Sequence, residues 1–118
     1  MGVFSSVPDI IGDSEQFSAL QSDLGDDVIA LLLARAQETV TGGLGSLHQA
    51  LEDNNSSQVR EIAHTLKGAC GSLYAVQFAQ MAAEMEKNIT DLEMVRAAMP
   101  EFAQSAEKTL AWWHRQLG

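Results

Sequence analysis

Apolar side chains recur at intervals of three and four residues over most of the chain, a period that predicts helices rather than strands. Ile29, Leu33, Ala36, Val40, Leu44, Leu47 and Leu51 share one face of a long helix running from Asp26 to about Asp53. Its opening pair, Asp26 and Asp27, suits the positive end of a helix dipole. Gly42, Gly43 and Gly45 interrupt this stretch at a cost of about 1 kcal/mol each relative to alanine. The stripe keeps its phase across them, which predicts one helix. Ahead of it, Asp13 or Ser14 caps a short helix that carries Phe17, Leu20 and Leu24 and ends near Gly25. Residues 1–12 read as irregular.

Beyond the long helix, the polar run Asn54-Asn55-Ser56-Ser57 makes a short connection and supplies caps for a third helix reaching about Leu73. Val59, Ile62, Leu66, Cys70 and Leu73 form its apolar stripe. A fourth helix, from about Ala75 to Asn88, turns Phe78, Ala82 and Met85 inward. Thr90 with Glu93 three residues on reads as a capping box that opens the last helix. Pro100 is expected to kink or split that helix, because proline removes a backbone donor and crowds the preceding turn. Near its end, one ring of the pair Trp112-Trp113 enters the bundle and the other stays part-exposed. No alternating β-branched run with paired turn signals occurs, so the fold class is all-α, and the short connections predict antiparallel packing of the long helices as a bundle.

Composition narrows the function. A chain of 118 residues accommodates one domain, with core and site sharing the same few elements. Seven Lys and Arg against sixteen Asp and Glu give a formal charge of -9, which repels a phosphate backbone and an anionic leaflet alike. Neither nucleic acid nor a membrane is therefore an expected partner. The longest apolar run, Val28 to Ala34, is far short of a bilayer span, and no basic segment followed by an apolar one opens the chain. These features, with Cys70 as the single cysteine, lead to the expectation of a soluble, cytoplasmic monomer without a signal peptide.

The third helix carries the candidate chemistry. At roughly 100° per residue, His64 points about 160° away from the apolar stripe, so water or a partner faces it. Arg60, Glu61, Lys67 and Gly68 lie one turn to either side, and Gly71 a turn beyond. Two glycines on an exposed helical face lower stability by roughly 2 kcal/mol together. What they give is access: bare positions at Gly68 and Gly71 clear a hollow beside the imidazole through which another protein's active site approaches. A surface imidazole offers a free ring nitrogen near neutral pH to attack phosphorus, and Lys67 one turn away neutralises phosphoryl oxygens without being the acceptor. Counting across the turn near Tyr74 and Ala75 brings Glu86 level with His64. Its carboxylate then takes the hydrogen bond from one ring nitrogen and leaves the other facing outward.

The stretch Ala63-His64-Thr65-Leu66-Lys67-Gly68 resembles the signature of the histidine-containing phosphotransfer (HPt) family, A-H-x-L-K-G followed by small residues. Met85-Glu86 stands where that family usually has Leu-Glu, and Leu44, Leu47, Ala50 and Leu51 are similar to its upstream run. The resemblance implies an antiparallel up-and-down four-helix bundle with an additional short N-terminal helix. It makes His64 the phosphoacceptor and Lys67 with Gly68 its supporting pair. Response-regulator receiver domains become the implied partners, with a hybrid sensor histidine kinase as a further one, in a multistep phosphorelay. Such modules are carriers rather than kinases: no cofactor is expected on this chain, and the Mg²⁺ belongs to the receiver. In keeping with that, no Walker-type phosphate loop or kinase signature occurs. The chain departs from the family at Tyr74, where glycine is common, which bears on where the third helix ends.

Two other readings use the same residues. A non-phosphorylated helical adaptor would keep the bundle and bind a receiver or kinase domain through the same face. Glu61 and His64 also form one Glu-x-x-His pair of the di-iron type, but neither His48 nor His114 has a glutamate three residues before it, so no metal site is expected. Docking candidates around the site are Arg60, Glu61, Gln80 and Glu84. His48 and His114 are expected to face solvent, and Cys70 to be a buried structural thiol.

Overall fold

The computed structural model describes residues 2–117 and contains five helices: α1 (Ser14–Leu24), α2 (Asp26–Glu52), α3 (Ser56–Gly71), α4 (Val76–Lys87) and α5 (Leu92–Leu117). Each long helix follows its apolar stripe. Ile29, Leu33, Ala36, Val40, Leu47 and Leu51 of α2 are buried, and Leu44 is packed against the core from a partly covered position. α2 is continuous through its glycines, and one of them has a packing reason: a Cβ on Gly43 would stand 2.9 Å from the Leu66 side chain, so α3 approaches closely there. α3 lies between α2 and α4, and α5 closes the bundle against both.

The caps show how local chemistry sets the boundaries. Asp13 accepts from the Gln16 N–H at the start of α1, and Asn55 accepts from Gln58 N–H at the start of α3. At α5 the expected capping box is replaced: Asp91 accepts from Met94 N–H, while Glu93 pairs with Arg96. The turn in which Asp91 N–H donates to the Asn88 carbonyl places Asp91, not Thr90, at the cap. Pro100 does not split α5, which runs unbroken with that residue on its exposed side.

α3 ends at Gly71, two residues before the predicted end. The chain then turns tightly, with Ala75 N–H donating to the Cys70 carbonyl and Tyr74 held at φ +62°. That left-handed conformation is the one glycine adopts freely and a tyrosine adopts at a cost.

The core reaches beyond the predicted stripes. Phe102 stacks on Phe78 with ring centroids 4.3 Å apart and meets Phe4 at 5.9 Å, so the irregular segment before α1 closes the side of the bundle. Of the expected irregular residues 1–12, Met1 lies outside the described part; Val3 and Phe4 are buried. Gln77 ties the same segment down: its side-chain amide donates to the Pro8 carbonyl, and its oxygen accepts from Ser105. Both tryptophans are buried, against the expectation of one part-exposed. Trp112 is covered by the chain at Gly12, where any Cβ would collide with the indole, and Trp113 donates its ring N–H to the Leu73 carbonyl. Cys70 is fully buried, and burial pushes its thiol up to about 12, which keeps it neutral and unreactive at ordinary pH.

Candidate functional site

α3 presents its core side through Val59, Ala63, Leu66 and Cys70, with Ile62 only partly covered. The buried stripe is therefore turned slightly toward Ala63 relative to the sequence pattern, and His64 stands on the open side with 69% of its side chain exposed. α4 is anchored by Phe78, Ala82 and Met85, all fully buried, and the residue after Met85 falls on the edge facing α3. That residue is Glu86, only 18% exposed.

Glu86 is shared between two partners. Its Oε2 lies 3.3 Å from His64 Nδ1, and its Oε1 lies 3.0 Å from Lys67 Nζ. The ammonium meets Oε1 off the line of a good hydrogen bond, so this contact is a charge pair. Partial burial raises the carboxyl's pKa, but the Lys67 ammonium first and the imidazole second more than offset it and hold Glu86 below the ordinary 4.5. Glu86 is accordingly an anion at neutral pH and an acceptor only. A neutral imidazole beside it donates from Nδ1–H and keeps its free lone pair on Nε2.

A hollow of about 680 Å³ opens beside the ring, lined by Ser57, Arg60, Glu61, His64, Thr65, Lys67 and Glu86. A Cβ built on Gly68 meets nothing within 4 Å, so that position faces open space. Neither glycine lines the hollow itself, against the expectation that the two clear it: Gly71 faces α4, where an added Cβ would touch Ala79 at 3.7 Å, an ordinary contact. Among the docking candidates, Arg60 and Glu61 join the hollow. Gln80 lines a different one, with Pro8, Ile10 and Gly12, and Glu84 pairs with Lys87 at 3.3 Å. Ser57 and Thr65 join the hollow without being among the sequence candidates, although Ser57 lies two turns before His64 on the same face, a spacing that signals it. His48 and His114 are exposed and outside the hollow. Among the described residues no three His, Cys, Asp or Glu side chains gather so as to hold a metal ion.

The model of the Hpt domain family matches residues 27–112, which takes in α3, α4 and every residue lining the hollow. The chain belongs to the Hpt domain family. Hpt domains are histidine phosphotransfer modules of phosphorelays and interact with receiver domains. Among solved structures, this Hpt domain is similar to histidine-containing phosphotransfer protein B (HptB) from Pseudomonas aeruginosa PAO1, with a TM-score of 0.81, 22% sequence identity and coverage of 93% of this chain and 96% of that one. The likeness extends the shared fold to nearly the whole chain. Comparison with curated protein sequences finds no match. Among the described residues no helix is long and apolar enough to cross a membrane.

Proposed function

We propose that this Hpt domain carries a phosphoryl group on His64, taking it from the aspartate of a receiver domain or from a sensor kinase and passing it to another response regulator. The observation that carries the reading is the exposed imidazole whose Nδ1 is engaged by Glu86 while Lys67 stands on the same carboxylate. In the acceptance step Nε2 attacks the phosphorus of the partner's aspartyl phosphate. The N–P bond forms as the P–O bond to the aspartate breaks, and the free carboxylate leaves. The ring keeps its proton on Nδ1, and Glu86 balances the positive charge that develops there. Lys67 turns from Glu86 toward the phosphoryl oxygens. Passing the group on is the same step in reverse, on a different partner, and no nucleotide site is required.

The test is direct: incubation with a receiver carrying labelled phosphate should give acid-labile, alkali-stable label on this chain. Absence of such label with every receiver of the source organism would leave an adaptor that binds without accepting phosphate.

Two expectations follow from the site. Gly68→Gln should stabilise the helix slightly, by up to about 1 kcal/mol, since nothing crowds the position and glycine is a poor helix former. The same change should slow phosphotransfer from a receiver at least tenfold, because a side chain then stands where the partner approaches; stopped-flow transfer rates beside urea melts read both. For Glu86, whose folded pKa is lowered, the stabilisation it provides is fully present above the ordinary 4.5 and is lost as pH falls through the lower folded value. The stability difference between the wild type and Glu86→Gln, measured by urea unfolding, should shrink as pH is lowered from 5 to 3.

A further inference from the structure

The chain has seven Lys and Arg residues, and three of them are committed. Lys67 pairs with Glu86, Lys87 with Glu84, and Arg96 with Glu93, the Leu51 carbonyl and Asn54. Arg35, Arg60, Lys108 and Arg115 have no ion-pair partner among the described residues, and of these four only Arg60 lines the hollow that holds His64. It is exposed, one helical turn before His64 on the same face.

We propose that Arg60 recognises the partner by pairing with an acidic side chain beside the partner's phosphorylated aspartate, and that it sets the rate of encounter. The inference rests on the phosphotransfer reading above and adds to it a division of labour between the two cations. Helical side chains lean toward the helix N-terminus. Lys67, C-terminal to His64, therefore leans onto the imidazole, where phosphoryl oxygens arrive. The Arg60 guanidinium, starting one turn N-terminal to His64 and leaning in the same direction, points away from the ring and toward the rim of the hollow, where the partner's surface must lie.

Charge gives the rim its importance. A chain of formal charge -9 repels an anionic phosphorylated partner as a whole, so productive encounter needs a local cation at the point of contact. Lys67 contributes little to that field because Glu86, at 3.0 Å, cancels it. Arg60 is the cation of the hollow that no carboxylate pairs among the described residues, although Glu61 also lines it, and its planar guanidinium suits a two-pronged grip on a carboxylate.

The experiment compares wild type, Arg60→Gln and, as control, Lys108→Gln on α5, the helix across the bundle from α3. Association with an unphosphorylated cognate receiver is measured by stopped flow at about 20 mM and 500 mM salt, and His64 is phosphorylated separately with the small donor phosphoramidate. Arg60→Gln is expected to slow association about fivefold at low salt and to match the wild type at high salt, where the screening length falls to about 4 Å. Its phosphoramidate rate should stay within twofold of wild type, and Lys108→Gln should resemble wild type throughout. Unchanged association at low salt overturns the proposal, as does a slowing that is equal at both salts or a parallel loss with phosphoramidate, which would put Arg60 on the phosphoryl group. Failure of wild type itself to take label from phosphoramidate or from any phosphorylated receiver would count against the carrier reading, while the association rates would still decide the role of Arg60.

Discussion

Exchanging His64 for glutamine is expected to reduce phosphoryl acceptance from a phosphorylated receiver to background while the bundle stays folded. Glutamine keeps a polar side chain of similar reach but has no basic nitrogen, so no N–P bond forms. The structural cost is small because the imidazole is 69% exposed and its one polar contact is to Glu86 at 3.3 Å. Exposed contacts of this kind contribute about 1 kcal/mol or less. Receiver binding by the variant, followed by fluorescence or calorimetry, should persist, since Arg60, Glu61 and Gly68 are untouched. Loss of labelling with retained binding separates a lost nucleophile from a lost fold. Retained labelling would move the acceptor elsewhere.

The largest stability effect is expected at Phe102→Ala. The ring is fully buried between Phe78 on α4 and Phe4 of the N-terminal segment, at 4.3 and 5.9 Å. Its removal therefore strips contacts from α5, from α4 and from the segment that covers them. Phenylalanine-to-alanine changes at such sites cost about 3–5 kcal/mol, a large part of the stability of a domain this size. Urea unfolding followed by circular dichroism should show a shift of that order. Leu31→Ala, at a position 54% exposed, should stay within about 0.5 kcal/mol of wild type. A Phe102→Ala variant as stable as Leu31→Ala would mean that the N-terminal segment does not hold the place described for it.

The parts of this fold that were legible in the amino-acid sequence are those with a period. The α2 stripe survives three glycines because helical phase is carried by spacing, and α4 shows its inward residues plainly. In α3 the pattern favoured Ile62, whereas Ala63 takes the buried position, since a small side chain lets the neighbouring helices approach and apolarity alone does not rank the two. Val3 and Phe4 have no period to betray them; their burial is decided by Phe102, about a hundred positions away in the chain. Trp112 and Trp113 diverge by about 100° on a helix, so one was expected outside. That rule presumes an uncovered outer face, and here Gly12 and Leu73 cover it.

The site was more readable than its surroundings for a related reason. His64, Lys67 and Gly68 lie on adjacent turns of one helix, where spacing dictates geometry. Glu86 needed only a correct count across one turn, and Tyr74 at φ +62° keeps that turn tight. The position of Gln80 on α4 points to the site, but the N-terminal segment packs beside it and gives it to a different hollow. Folding of an aperiodic segment onto a helix face leaves no trace in that helix's own residues.

One measurement bears most directly on the mechanism. Long-range ¹H–¹⁵N NMR on the phosphorylated protein reports which ring nitrogen of which histidine carries phosphorus. The geometry predicts a single phosphohistidine at His64, substituted on Nε2, with Nδ1 still protonated against Glu86. Phosphorus on Nδ1, or on His48 or His114 instead, would contradict the account.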